Sequence, residues 1–247
     1  FISPELSIEI QEYLGSDIMM IFDDCPKPDS DYSRILESIN RTREWANRSK
    51  KARKSDSKLF GIVQGGIYED LRKTSLDHML DIEFDGYAIG GLGLGEGQSK
   101  TYEITEQLCS MLPKDKPRYS MGIGKPEDII NSVELGVDIF DCVVPTRNAR
   151  NGTLYTKNGK INIKNSIYNM SDKLIDDDDL NHPCSGYSLG YIRHLYTSKE
   201  ISALSLMSMS NLYFYKQLIE SIKKSIKDGK FIDFKRNFLE RYQNEPN

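Results

Sequence analysis

The stretch LFGIVQGGIYEDLRKTSLDHML, residues 59–80, holds one complete structural unit. Leu59–Val63 is a short apolar run rich in strand formers. Gln64-Gly65-Gly66 is a turn signal, and beyond it Leu76, Met79 and Leu80 recur at helical spacing. The same succession predicts strands at DIMMIF (17–22), GYAIG (86–90), RYSMG (118–122) and VDIFDCVV (137–144), with helical patterns between them such as Ile129, Ile130 and Val133. Alternating strands and helices imply parallel strands joined by crossover helices, hence an α/β fold, either a barrel or a doubly wound sheet.

The unusual residues cluster at strand ends. Asp23-Asp24-Cys25, Gln64-Gly65-Gly66, Gly90-Gly91 to Glu96, Gly122-Ile123-Gly124-Lys125 and Asp141-Cys142 all fall at the C-terminal ends of predicted strands. In parallel α/β folds that edge is where sites form. Asp141 ends an apolar strand, where partial desolvation makes a carboxylate more basic and more nucleophilic; an N-cap or a salt bridge to Arg147 is the alternative. Asp23 offers acceptor-only oxygens that suit an N–H and amine edge such as guanine presents, or else it caps a loop. Gln64 donates and accepts at once, beside glycines that permit close approach. Arg147 and Arg150, with Lys125, are suited to RNA phosphates or base edges, or form a solvated loop.

Length and composition bound the rest. With 247 residues, 38% hydrophobic and 28% charged, the chain can bury one sizeable core. No apolar run approaches a membrane span, and a cytoplasmic location is expected. Four scattered cysteines argue for reduced thiols. A net charge of -4 confines any nucleic-acid contact to a local basic patch. Ser3 and Pro4 predict a helix start, and the chain begins like a fragment, inside a connection. After Gly152 the alternation stops. A hairpin is expected, Thr153–Tyr155 pairing with Ile161–Ile163 about a type I′ turn at Asn158-Gly159. Next come a solvated acidic run at 176–179 and two helices. The second carries Tyr215, Ile219, Ile222 and Ile226 on one face and ends at Gly229, and a basic amphipathic segment closes the chain from Phe231 to Tyr242.

FDDC (22–25), FGIVQGG (60–66), GYAIGGLGLGEG (86–97), RYSMGIGKPED (118–128) and GVDIFDCVVPTRNARNG (136–152) resemble, in order and spacing, the tRNA-guanine transglycosylases of bacterial type. The resemblance implies a (β/α)8 TIM barrel whose N-terminal strands, with a general acid/base aspartate, precede position 1. Residues 1–152 would carry the base pocket and nucleophile. Residues 153–247 would hold the hairpin, a zinc-subdomain region and the C-terminal helices that complete the barrel. It implies exchange of guanine-34 in a tRNA with a GUN anticodon for preQ1, through a covalent aspartyl-ribose intermediate, by a homodimer.

The resemblance places the nucleophile at Asp141 and base recognition at Asp23, Cys25, Gln64, Gly90, Gly91, Leu92, Glu96 and Met121. RNA contacts fall at Lys125, Thr146, Arg147 and Arg150. Cys25 and Leu94 favour preQ1 over the bulkier queuine. Gly93 departs from the pattern and loosens the base-reading segment. The implied zinc site, a Cys-x-Cys-x-x-Cys run plus a histidine, keeps only Cys184 in a segment that reads as shortened, and Ser210 stands where the histidine is expected. His182 and His194 are the substitutes at hand, and no bound cofactor is expected. Two other readings stand beside this one: a non-catalytic homologue serving as partner subunit or tRNA-binding module, and an archaeal type acting in the D-arm.

Overall fold

The structure is a computed structural model that describes residues 1–27, 30–176, 179 and 181–243. Its chain divides into two compact units, Phe1–Gly124 with Asn131–Cys142, and Lys125–Ile130 with Val143–Asn247.

The first unit is built on a five-stranded parallel sheet, β1 (Ile18–Met20), β2 (Lys58–Val63), β3 (Gly86–Ile89), β4 (Arg118–Ser120) and β5 (Ile139–Phe140). Each strand pairs with the next in sequence, so the spatial order is also the chain order. A doubly wound sheet reverses direction at a switch point. This sheet does not, and its order is that of successive units in a (β/α) barrel wall. The helices are α1 (Pro4–Tyr13), α2 (Tyr32–Ala52), α3 (Glu69–Ile82), α4 (Gln98–Met111) and α5 (Pro126–Glu134), the last contributing to both units.

Sequence explains several of these boundaries. The Ser3 hydroxyl caps α1, accepting from Leu6 N at 3.3 Å, with Pro4 in the first turn. Gln11 on α1 is bonded to the backbone of β1: its amide accepts from Met20 N at 2.8 Å and donates to Met20 O at 3.0 Å. The N-terminal strand ends are tied by charged side chains. Asp85 accepts from Leu59 N at 3.0 Å and pairs with Arg53 at 2.8 Å. The Arg118 guanidinium donates to the carbonyls of Leu112, Pro113 and Gly136.

The expected strand over 137–144 is much shorter. Only Ile139–Phe140 pairs, and helix α6 begins at Val144 and runs to Arg150. Pro145 near its start pre-sets a helical φ and has no N–H to offer a ladder, so Arg147 and Arg150 lie on a helix and not in a loop.

The second unit holds α6, the hairpin β6 (Thr153–Thr156) and β7 (Gly159–Asn162), and helices α7 (Leu189–Thr197), α8 (Ile201–Lys227) and α9 (Phe231–Gln243). The hairpin turns at Lys157-Asn158, one residue earlier than expected, because Thr156 pairs with Gly159. Of the two residues expected to form a type I′ turn, only Gly159 has positive φ, at 110°. Thr156 secures the turn, its hydroxyl donating to Gly159 O and accepting from Asn158 N.

Helix α8 ends as expected, in a Schellman arrangement with Gly229 at φ 66°. Its buried face is set by Ala203, Met207, Asn211, Tyr215, Leu218 and Ile222, and Ile226 of the expected face is 52% exposed. Asn211 on that face joins three segments, accepting from Tyr155 N at 2.9 Å and donating to Pro145 O at 2.8 Å and Thr153 O at 3.0 Å. In the acidic run, Asp177 and Asp178 lie outside the described residues. No described helix is long and apolar enough to cross a membrane.

The β2–β3 pair interlocks through two glycines. A Cβ added at Gly61 would sit 2.6 Å from the Phe84 ring, and one at Gly86 would meet the Phe60 ring. All four residues are buried, so neither ring has room to retreat. Gly61→Ala is expected to cost about 1–3 kcal/mol by overpacking, read as a lowered urea midpoint. Phe84→Leu in the same chain should recover part of that loss, a coupling that additive costs would not show.

Candidate functional site

The C-terminal ends of β1 to β5 carry all the unit-1 candidates, and hydrogen bonds show how each is held. After β1 the backbone is fixed by hydroxyls from α2: Ser49 accepts from Phe22 N at 3.3 Å and Thr42 from Asp24 N at 3.0 Å. The two adjacent aspartates are then separated. Asp24 is gripped by Arg34 at 2.6 and 3.0 Å and by Arg41. Burial opposes its charge, yet the two guanidiniums hold its pKa below the ordinary value. Asp23 instead accepts from Gln64 Nε2 at 2.7 Å, and burial pushes its pKa up despite that bond.

Gln64 is 2% exposed, and its backbone N–H donates to Ser75 Oγ on α3. Its side-chain amide runs over the β3 turn. A Cβ at Gly90 would lie 2.7 Å from Gln64 Nε2, and one at Gly91 would lie 2.5 Å from Gln64 Oε1. Only glycine admits this approach, and Gly91 also has φ 66°.

Arg72, which sequence reasoning missed, is fully buried beneath these glycines. Its guanidinium donates to the carbonyls of Gly66 (2.8 Å), Val63 (3.0 Å), Gly90 (2.7 Å) and Gly91 (3.3 Å). Burial lowers its pKa to about 10, partly offset by Glu96 and Cys25, so the group stays cationic at neutral pH. Every peptide here is trans. Holding the Gly90 and Gly91 carbonyls therefore turns the N–H groups of Gly91 and Leu92 away from Arg72. Among the described residues neither N–H has a protein acceptor. The available signal was one arginine in the otherwise uncharged stripe Leu71, Ser75, Leu76, Met79 of α3.

Glu96 closes the next turn. Its carboxylate accepts from the N–H groups of Gly93 (2.6 Å), Leu94 (3.0 Å) and Gly95 (3.1 Å) and from Thr101 Oγ1 at 2.5 Å. Gly93 is accordingly anchored and not loosened, with φ 71° that glycine supplies without strain. Leu92 is buried, Leu94 is 51% exposed, and Cys25 is exposed. Met121 continues the sheet, donating to Ile89 O, and its side chain packs on the core.

Asp141 follows β5. Its Oδ1 accepts from Tyr119 OH at 2.6 Å and from Gly122 N at 2.8 Å, while Oδ2 has no partner among the described residues. Burial and then the Asp141 carboxylate push the Tyr119 phenol well up, so it remains a donor. The desolvation expected of Asp141 is not found: the residue is exposed, and it is oriented by hydrogen bonds instead.

The remaining candidates belong to the second unit. Lys125, Arg147 and Arg150 are exposed, with no side-chain partner among the described residues. Thr146 Oγ1 donates to Val143 O within α6.

The implied zinc site fails a test of its donors. In a Cys-x-Cys-x-x-Cys spacing that ends at Cys184, Asp179 and Asn181 hold the other two positions, and neither supplies a thiolate. The Cys184 thiol donates to Leu206 O at 3.3 Å. His182 Nδ1 accepts from Cys184 N at 3.1 Å, which makes Nε2 the protonated nitrogen and the donor to Ser210 Oγ at 3.2 Å. Asp179 accepts from Tyr213 OH at 2.7 Å and Asn181 N at 2.9 Å. His194 is exposed on α7. No three His, Cys, Asp or Glu residues among those described are grouped to hold a metal, so this donor set does not fit tetrahedral zinc.

A floor of glycine peptides, two adjacent aspartates with oppositely shifted pKa values and a carboxylate held through one oxygen fall on the motifs that carried the resemblance. The family model for queuine tRNA-ribosyltransferase matches residues 1–244. The chain belongs to that family. It is 46% identical over 246 residues to the queuine tRNA-ribosyltransferase of Halothermothrix orenii, covering 99% of this chain and 66% of that protein. It is 47% identical over 247 residues to that of Fusobacterium nucleatum and 45% identical over 250 residues to that of Bacillus subtilis, again with 66% of each relative covered. The chain thus spans just under two thirds of the length of these family members.

The raised pKa of Asp23 has a definite sign in stability. The native state holds this proton more tightly than the unfolded chain, so stability falls as pH rises from about 3.8 through the raised value. Asp23→Asn lacks this penalty. Its stability relative to the parent is expected to rise with pH across that window and then level off, measured by urea unfolding from pH 3 to 7.

Proposed function

We propose that this chain carries the base pocket and nucleophile of a tRNA-guanine transglycosylase of queuosine synthesis. The observation behind the proposal is the tethering of Asp141: one carboxylate oxygen is held by Tyr119 and Gly122, and the other has no partner among the described residues. In this reading Oδ2 attacks C1′ of ribose 34. The glycosidic C–N bond breaks, and guanine departs with the electron pair and takes up a proton. An aspartyl-ribose ester remains. The incoming 7-deazaguanine attacks C1′ through its ring nitrogen, releases the carboxylate and loses its own proton. Two displacements at one carbon retain configuration.

Base selection follows from the floor. Asp23 accepts from the N–H and amine edge, and the N–H groups of Gly91 and Leu92, aimed by Arg72, serve the carbonyl edge with Gln64. Cys25 and Leu94 at the entrance favour preQ1 over queuine. Arg147, Arg150, Lys125 and Thr146 hold the anticodon loop of a tRNA with a GUN anticodon. A cytoplasmic homodimer belongs to the same reading.

The test uses the full-length protein with an unmodified G34 tRNA on a denaturing gel. A covalent protein-RNA band is expected, absent in Asp141→Asn and slowed about tenfold in Tyr119→Phe, in which one of the two tethers is gone. A folded, tRNA-binding protein that never yields the band would favour the non-catalytic homologue.

The same proposal includes a metal-free second unit, with the Asp179–Tyr213, His182–Ser210 and Cys184–Leu206 hydrogen bonds joining the 179–184 loop to α8. Purified protein is expected to contain no stoichiometric zinc and to melt at the same temperature with or without EDTA. Ser210→Ala, which strips the buried His182 N–H of its acceptor, should cost about 1–3 kcal/mol. One zinc per chain by elemental analysis would overturn the metal-free reading.

A further inference from the structure

We infer that the second unit carries an additional RNA-backbone site, a cation-lined groove at the C-terminal ends of α6 and α7 whose working side chains are Lys164 and Lys199. The inference rests on the tRNA reading above and extends the RNA footprint beyond α6.

The groove encloses about 470 Å³ and is lined by Arg150, Lys164, Tyr196, Lys199 and Glu200 among others. That volume admits a ribose-phosphate unit. Three cations thus line the groove with one carboxylate, on a chain whose net charge is -4. Such a local inversion of sign is what a backbone-binding patch on an acidic body requires.

The groove is also built, beyond being charged. Lys164 Nζ lies 5.7 Å from the centre of the Tyr196 ring, pairing a cation with an aromatic face. The Tyr196 hydroxyl donates to Arg150 O and fixes the ring. Gly152 lies against both side chains with φ 93°, and a Cβ there would lie 2.9 Å from Lys164 Cε and 3.2 Å from the Tyr196 ring. Glycine is what lets the lysine and the tyrosine close over the backbone.

Cations at helix C-termini also arise simply to balance the helix dipole, which accounts for Arg150. It does not account for Lys164, which follows β7 and ends no helix. Nor does it explain Lys199, which has φ 60° just beyond α7. Glycine takes that left-handed position without strain, so retaining lysine there is a cost that the dipole alone does not call for. Lys164 and Lys199 are exposed, and neither forms an ion pair among the described residues.

The experiment measures the affinity of full-length protein for tRNA against NaCl concentration, for wild type, Lys164→Ala/Lys199→Ala, and Lys224→Ala/Lys227→Ala as a charge-matched control at exposed positions of α8. Each phosphate contact adds about 0.7–0.9 to the slope of log K against log salt. The double variant is expected to lose roughly 1.5 units of slope and about tenfold in affinity at 0.1 M salt, with an unchanged melting temperature, while the control matches wild type. An unchanged slope in a double variant whose wild type binds tRNA overturns the groove alone. Equal loss in the control reduces it to net charge and also overturns it. A wild type that binds no tRNA overturns the reading beneath it.

Discussion

A buried guanidinium with four carbonyl partners is the constraint from which the turns after β2 and β3 follow. Among the described residues Arg72 has no carboxylate in contact; its charge is dispersed over the peptides of Val63, Gly66, Gly90 and Gly91. An arginine in this position is costly to desolvate, and it is tolerated because nearly every donor is satisfied. The return is geometric. The turns after β2 and β3 are locked to one group, and Gln64 is pressed against them by its own bond to Asp23.

The two ends of the sheet divide the work. At the N-terminal ends, Asp85, Arg53 and Arg118 tie strands to neighbouring backbone and expose little that could do chemistry. At the C-terminal ends, polar groups are left without a partner among the described residues: one oxygen of Asp141 and the N–H groups of Gly91 and Leu92. This asymmetry is that of the (β/α) barrel class, in which stability and chemistry occupy opposite faces. The family membership of the chain agrees with it.

Much of this was legible in the sequence. Strand positions and the five strand ends were visible because apolar runs and glycine turns are local signals. Boundaries failed where tertiary contacts decided them. The strand expected over 137–144 gave way to α6 because Pro145 favours the helix start more strongly than the valines favour a strand. Asp23 was singled out over Asp24 through the resemblance, since the physical difference between them rests on Arg34 and Arg41 in the first and third turns of α2. Arg72 was hidden because an arginine on a helix is ordinarily solvent-facing. The hydrogen bonds that join Asp179, His182 and Cys184 to α8 link residues far apart in the chain, whereas the loss of cysteines was plain from spacing alone.

The bond between Tyr119 and Asp141 has one more consequence. Because the phenol is driven far above its ordinary pKa and the other tether is a peptide N–H, neither restraint on the carboxylate titrates near neutrality. The direction in which the free oxygen faces is therefore independent of acidity over the range in which cells live. A carboxylate aimed by a histidine would swing with pH. This one is aimed by groups that keep their protons, and its orientation is as constant as the backbone to which it is tied.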